Sequence, residues 1–137
     1  MLGARLPTIV LALLCGVFAV YLALSGRREA TLQRAQADLV AGRSAEALAE
    51  LKDVEGETDG RAAALRGYAY RDIGRLEPAR RAFQTAARRD PNNWVLQREY
   101  ARILLRLGER SKARARMSRA KALNPRMLLP SGFVGVK

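Results

Sequence analysis

Apolar and polar residues follow two different regimes along this chain. From Leu6 to Leu24, nineteen consecutive residues carry no charge. As a helix that run would rise about 28 Å, close to the roughly 20 apolar residues that a bilayer core requires. Arg5 flanks it on one side and Arg27-Arg28 on the other, and Tyr21 lies near one end, where an interfacial aromatic would sit. Beyond the run, apolar residues return at spacings of three and four, interrupted by glycine, proline and asparagine. That is the signature of short amphipathic helices separated by turns. The pattern predicts an all-α chain, with an N-terminal transmembrane helix followed by a series of short helices.

The short helices repeat. Gly67, Tyr70, Gly74, Ala79, Phe83, Ala86 and Pro91 fall on Ala101, Leu104, Gly108, Ala113, Met117, Ala120 and Pro125, each pair 34 residues apart. Within residues 60–93, Ala64, Leu65, Tyr68 and Ile73 recur at helical spacing, and Gly67 stands opposite them, where a missing side chain lets two helices approach. Gly74 suits the position just past a helix, because glycine tolerates positive φ. Pro78 belongs to the first turn of the next helix, where its missing N–H costs nothing. That helix aligns Leu76, Ala79, Ala82, Phe83 and Ala86 on one face, and Asp90-Pro91-Asn92-Asn93 closes the unit with turn residues. Residues 94–127 repeat the scheme, with Gly108 as the stop and Asn124-Pro125 as the closing turn.

These residues resemble the tetratricopeptide repeat family, whose 34-residue units are helix–turn–helix pairs. Ala101, Leu104 and Met117 depart from the usual glycine and aromatics but stay small or apolar. A shortened first copy precedes the two: Gly42, Ala47 and Leu51 take the roles of Gly74, Ala79 and Phe83 at an offset of 32, and Val54 replaces the last alanine. The expected architecture is a short α-solenoid of about three helix pairs. Its divisions are an anchor or signal peptide at 1–27, a degenerate hairpin at 28–59, repeats at 60–93 and 94–127, and a tail at 128–137. For that tail a frayed terminus is expected, with a fold-back of Met127, Leu128 and Leu129 or a short strand from Phe133, Val134 and Val136 as alternatives.

Small residues at Ala23-Leu24-Ser25 would suit signal-peptide cleavage. The apolar run exceeds the about 7–15 residues of a signal-peptide core, which favours an uncleaved single-pass anchor. Ala12 and Gly16, and Ala19 and Ala23, form small-xxx-small pairs through which the run could self-associate. The flanking arginines leave the side of the membrane open. Cys15, the one cysteine, lies inside the run, so no intrachain disulfide is possible. A looser similarity to repeat regions of bacterial envelope-polysaccharide membrane proteins points to a bacterial inner membrane and a cell-envelope pathway.

Charge divides the repeats. The formal net charge is +12. Residues 29–60 hold three basic against eight acidic side chains, whereas residues 61–126 hold eighteen against five. Such polarity would steer an anionic partner to the distal repeats. Arginine-rich residues 114–121 look like a nucleic-acid patch, but Met117 and Ala120 are core positions by register, and few aromatics are free to stack on bases.

The resemblance implies a partner-binding concave face lined by the first helix of each pair: Arg61, Leu65, Tyr68 and Arg71, then Arg98, Arg102, Leu105 and Arg106. Arg98, Arg102 and Arg106 lie at i, i+4, i+8, a stripe of like charge relieved in part by Glu99 and fit to grip carboxylates or phosphates. Ala64 and Leu65 stand where the family's carboxylate clamp would need polar contacts, which argues against that activity here. Catalytic residues, cofactors and a metal site are not expected. There is no histidine; Ser44 reads as the cap of the second helix of the first copy, and Ser111 as opening the matching helix of the last; Asp53, Glu55, Glu57 and Asp59 read as a solvated acidic loop. The expected function is a non-enzymatic membrane-anchored scaffold for a protein partner with an acidic segment. The alternatives are a basic binder of anionic lipid or polymer, and a secreted binding module.

Overall fold

The computed structural model describes residues 6–52, 54 and 60–133, with side chains from residue 10 onward. Among them are six helices: α1 (Leu6–Val40), α2 (Ser44–Leu51), α3 (Gly60–Asp72), α4 (Leu76–Arg89), α5 (Trp94–Arg106) and α6 (Arg110–Leu123). No strand occurs among the described residues. Helices pack in sequential pairs, α1 on α2, α3 on α4 and α5 on α6, and each pair packs on the next through α2–α3 and α4–α5. The result is a short helical repeat array. The acidic loop residues Asp53, Glu55, Glu57 and Asp59, the flank Arg5, and Val134 and Val136 lie outside the described residues.

The repeat glycines end their helices as the register requires. Gly42, Gly74 and Gly108 take φ of 74°, 78° and 81°. After α3 and α5 the chain closes in the same way: Arg75 N donates to Tyr70 O, and Glu109 N to Leu104 O. These bonds satisfy carbonyls left without intrahelical partners.

Two clusters form the interior. The first gathers Leu32 and Ala35 of α1, Ala47 and Leu51 of α2, Val54, and Ala62 and Leu65 of α3. The second gathers Ala63 of α3 with residues of α4, α5 and α6. So α3 is buried on two sides, and its apolar positions do not form the single stripe of a surface helix. This corrects one expectation: Ile73 is 42% exposed, because Ala62, Ala63, Leu65, Gly67 and Ala69 fill the two packed faces instead.

Two further expectations change. Ser44 does not cap α2: Arg43 is the N-cap, and Ser44 is the first helical residue, buried in the helix contact. Ser111 does lie in the opening turn of α6, as its second residue after Arg110, with Glu109 at the N-cap. And the segment after α6 is not frayed through Phe133. Met127 and Phe133 are buried in the second cluster, Phe133 at 1% exposure, while Leu128 is 91% exposed. Lys121 Nζ donates to Pro125 O at 2.7 Å and Met127 O at 3.0 Å, pinning the chain as it turns back. A helical array needs its open end covered, and this segment covers it.

α1 runs unbroken from the apolar stretch into the first repeat hairpin, 35 residues or about 52 Å. Large apolar side chains from Val10 to Leu24 are all exposed. By length and composition this helix could cross a membrane. Ser25 Oγ donates back to Tyr21 O at 2.8 Å, so the helix passes straight through the small-residue stretch.

Candidate protein-docking face

Of the eight predicted lining residues, α3 supplies Arg61, Leu65, Tyr68 and Arg71, and α5 supplies Arg98, Arg102, Leu105 and Arg106. The two helices hold them differently. Arg61 is exposed and reaches across to α1, donating to Glu29 Oε1 at 2.7 Å and Gln36 Oε1 at 3.4 Å. Leu65 is buried against α1 and meets the outer surface only as the floor of a groove. Tyr68 is half-buried, edge-on to the Phe83 ring with centroids 5.1 Å apart, and the Arg71 guanidinium lies over its face at 5.1 Å. Gln36, Leu39, Val40, Arg61, Ala64, Leu65, Tyr68, Arg71 and Asp72 enclose a groove of about 370 Å³ between α1 and α3.

The centre of the face is a residue that the sequence reading underrated. Glu99 is only 2% exposed, yet it is charged. It occupies the register position of Leu65, 34 residues earlier, and like Leu65 it faces the first helix of the preceding unit. Arg71 Nη1 donates to its Oε2 at 3.0 Å, Arg98 Nη2 approaches Oε1 at 2.9 Å, and Arg102 Nη1 reaches Oε2 at 3.3 Å. A carboxylate taken out of water is tolerated when its lone pairs are filled by charge-assisted donors, and three guanidiniums fill them. The expected self-repelling stripe is therefore not what forms. Arg98 and Arg102 flank a shared carboxylate, and Arg71 joins α3 to it. Arg106 is exposed and takes no part in this hub. Leu105 is half-buried, and a Cβ on Gly132 would stand 2.9 Å from its Cδ2, so the returning segment overlies it.

Around the hub, charges set proton affinities. Burial raises the Tyr68 phenol above its ordinary range, the nearby Glu99 carboxylate raises it further, and Arg71 and Arg98 oppose both. For Arg71, burial lowers the guanidinium pKa, but bonds to Asp72 and Glu99 outweigh it and leave the group more firmly charged. Arg98 also lies over the Trp94 ring at 5.0 Å, which fixes its stem. Two acids, Glu99 and Asp72, against three arginines leave the hub net positive, and Arg71, Arg98 and Arg102 all keep contact with solvent.

A second buried polar residue was also missed. Gln97 Nε2 donates to Ala87 O at 3.4 Å and Pro91 O at 3.2 Å, closing the last turn of α4. In the preceding unit Arg66 does the same job, donating to Leu51 O and Val54 O at 2.8 and 2.9 Å. Asn93, expected only as a turn residue, caps α5 by accepting from Val95 N and Leu96 N. The asparagine before a helical run was a readable cap signal; the 34-residue register set Glu99 on Leu65, whereas nothing in the spacing distinguished Gln97 from a surface polar residue.

Among the described residues no group of histidine, cysteine, aspartate or glutamate side chains could hold a metal ion. Residues 71–126, from the end of α3 through α6, match the family model of the tetratricopeptide repeat. Comparison with curated proteins finds no match to the chain.

Proposed function

Because residues 71–126 match the tetratricopeptide repeat model, we propose that the chain is a non-enzymatic scaffold held at a bacterial inner membrane by residues 6–25. In this reading the outward face of α3 and α5 grips an acidic segment of a protein partner. The observation that carries it is the arginine hub. Arg71, Arg98 and Arg102 are pre-positioned on Glu99, so little side-chain entropy is lost when a partner carboxylate arrives. The adjoining groove of Leu39, Ala64 and Tyr68 offers apolar contact beside the charge. A cell-envelope pathway is the setting we favour, on the strength of the anchor.

Proximity labelling in the native cell, combined with protease accessibility on each side of the membrane, tests both parts. The expected result is a partner with an acidic stretch whose recovery falls when Arg71, Arg98 and Arg102 are changed to glutamine. Undiminished recovery from that variant overturns the arginine face. A chain lacking residues 1–27 should leave the membrane fraction; if it still sediments with membranes, residues 6–25 are not the anchor.

A further inference from the structure

A different cluster of charge sits where the apolar run ends. Leu24, Arg27, Arg28, Thr31 and Arg34 lie at i, i+3, i+4, i+7 and i+10, so they share one face of α1. That face turns towards Ala49 and Glu50 of α2 and Val54, and together they enclose a pocket of about 740 Å³. Three arginines and one carboxylate line it. Glu50 is already engaged, since Arg34 Nη1 donates to its Oε2 at 3.2 Å. The Thr31 hydroxyl donates to Arg27 O at 3.0 Å, so its oxygen faces outward as an acceptor only.

The pocket changes character along its length. At one end is Leu24, the last large apolar residue of the run; at the other is the Arg34–Glu50 pair on the repeat array. Arg27 and Arg28 stand about 5 Å and 6 Å along the helix beyond Leu24, the depth of the polar headgroup layer next to a bilayer core. Arg34, about 15 Å beyond Leu24, forms the far wall. A ligand filling this space needs an apolar part level with Leu24 and an anionic part level with Arg27. We propose that the pocket is a seat for the phosphate headgroup of an anionic phospholipid, with Arg27 and Arg28 as the phosphate donors. The lipid's chains continue alongside Leu24 into the bilayer. This rests on the reading of residues 6–25 as a membrane span. The consequence is mechanical: a headgroup held by Arg27 and Arg28 sets the depth of α1 at the membrane surface, beside α2.

The test uses the full chain in vesicles of phosphatidylcholine alone and of phosphatidylcholine with phosphatidylglycerol, followed by native mass spectrometry of lipids retained on release into detergent. Wild type should retain phosphatidylglycerol in preference to phosphatidylcholine. Arg27→Gln and Arg28→Gln should each lose roughly fivefold of that preference, and Arg27→Lys should keep most of it. Arg119→Gln, which lies on the distal repeat, should keep all of it, showing that general basicity is not the cause. Equal retention by the Arg27 and Arg28 variants, or loss from Arg119→Gln as well, overturns the site. So does displacement of the lipid by inorganic phosphate at millimolar concentration, which would assign the pocket to a soluble anion. A wild-type chain that stays out of neutral vesicles overturns the membrane span and the site with it. A chain that inserts but shows no lipid preference overturns the site alone.

Discussion

A Cβ placed on Gly67 would stand 2.9 Å from two ring carbons of Phe83 and 3.0 Å from a third. Phe83 is fully buried, so the ring has nowhere to retreat. One unit later the same two positions hold Ala101 and Met117, both at 0% exposure. The added methyl of Ala101 is accommodated because Met117 is unbranched and flexible, where Phe83 is a rigid disc.

The two positions should therefore be coupled. Gly67→Ala alone is expected to destabilise the array by about 1–3 kcal/mol through overpacking. The double variant Gly67→Ala/Phe83→Met reproduces the pairing of the next unit. It should cost less than the sum of the single changes. Denaturant unfolding of the four proteins gives the coupling, and strict additivity would show that the contact is not tight.

Glu99→Gln should separate stability from binding. The neutral amide leaves Arg98 and Arg102 without a counter-charge and Arg71 with Asp72 alone. Loss of one partner from a fully buried pair costs about 3–5 kcal/mol. Here the arginines keep solvent contact, so about 1–3 kcal/mol is expected. At the same time the freed guanidiniums should bind an acidic peptide more tightly. Unfolding measurements with titration of a polyglutamate peptide check both signs.

The returning segment should matter out of proportion to its lack of helix. Phe133→Ala removes a fully buried ring and should cost about 3–5 kcal/mol, whereas Leu128→Ala, at a site 91% exposed, should be near neutral. Limited proteolysis after α6 should become faster in the first variant only.

Alkaline pH should weaken the fold through Tyr68. Its folded-state pKa is raised, so the folded chain holds the phenolic proton more tightly than the unfolded chain. The contribution is complete below the ordinary tyrosine pKa of about 10. It is lost as pH rises from there through the raised folded value. Tyrosinate absorbance and unfolding at several alkaline pH values, compared with Tyr68→Phe, should show this step missing from the variant.

Much of this was legible from residue types alone because a 34-residue period leaves its mark wherever geometry is strict. The positive-φ glycines Gly42, Gly74 and Gly108, the small Ala79 and Ala113, and the filling Phe83 and Met117 all sit where spacing placed them. The binding face was legible only as a row of positions. Spacing could say that Arg98 and Arg102 share a helix side. It could not say that Arg71 arrives from another helix to share their carboxylate.

By itself, then, the sequence determined the helical class, the helix ends, the repeat register and the apolar run near the start. Those depend on local backbone preference and on periodicity, which a linear pattern records. The tertiary structure alone decided that Glu99 is a buried hub and not a surface relief for a charged stripe. It decided that Gln97 and Arg66 close neighbouring helices, that Ile73 is left outside, and that Phe133 seals the open end. Each depends on which helix lies opposite, and that is settled by packing between units, a relation between distant residues that no local period encodes.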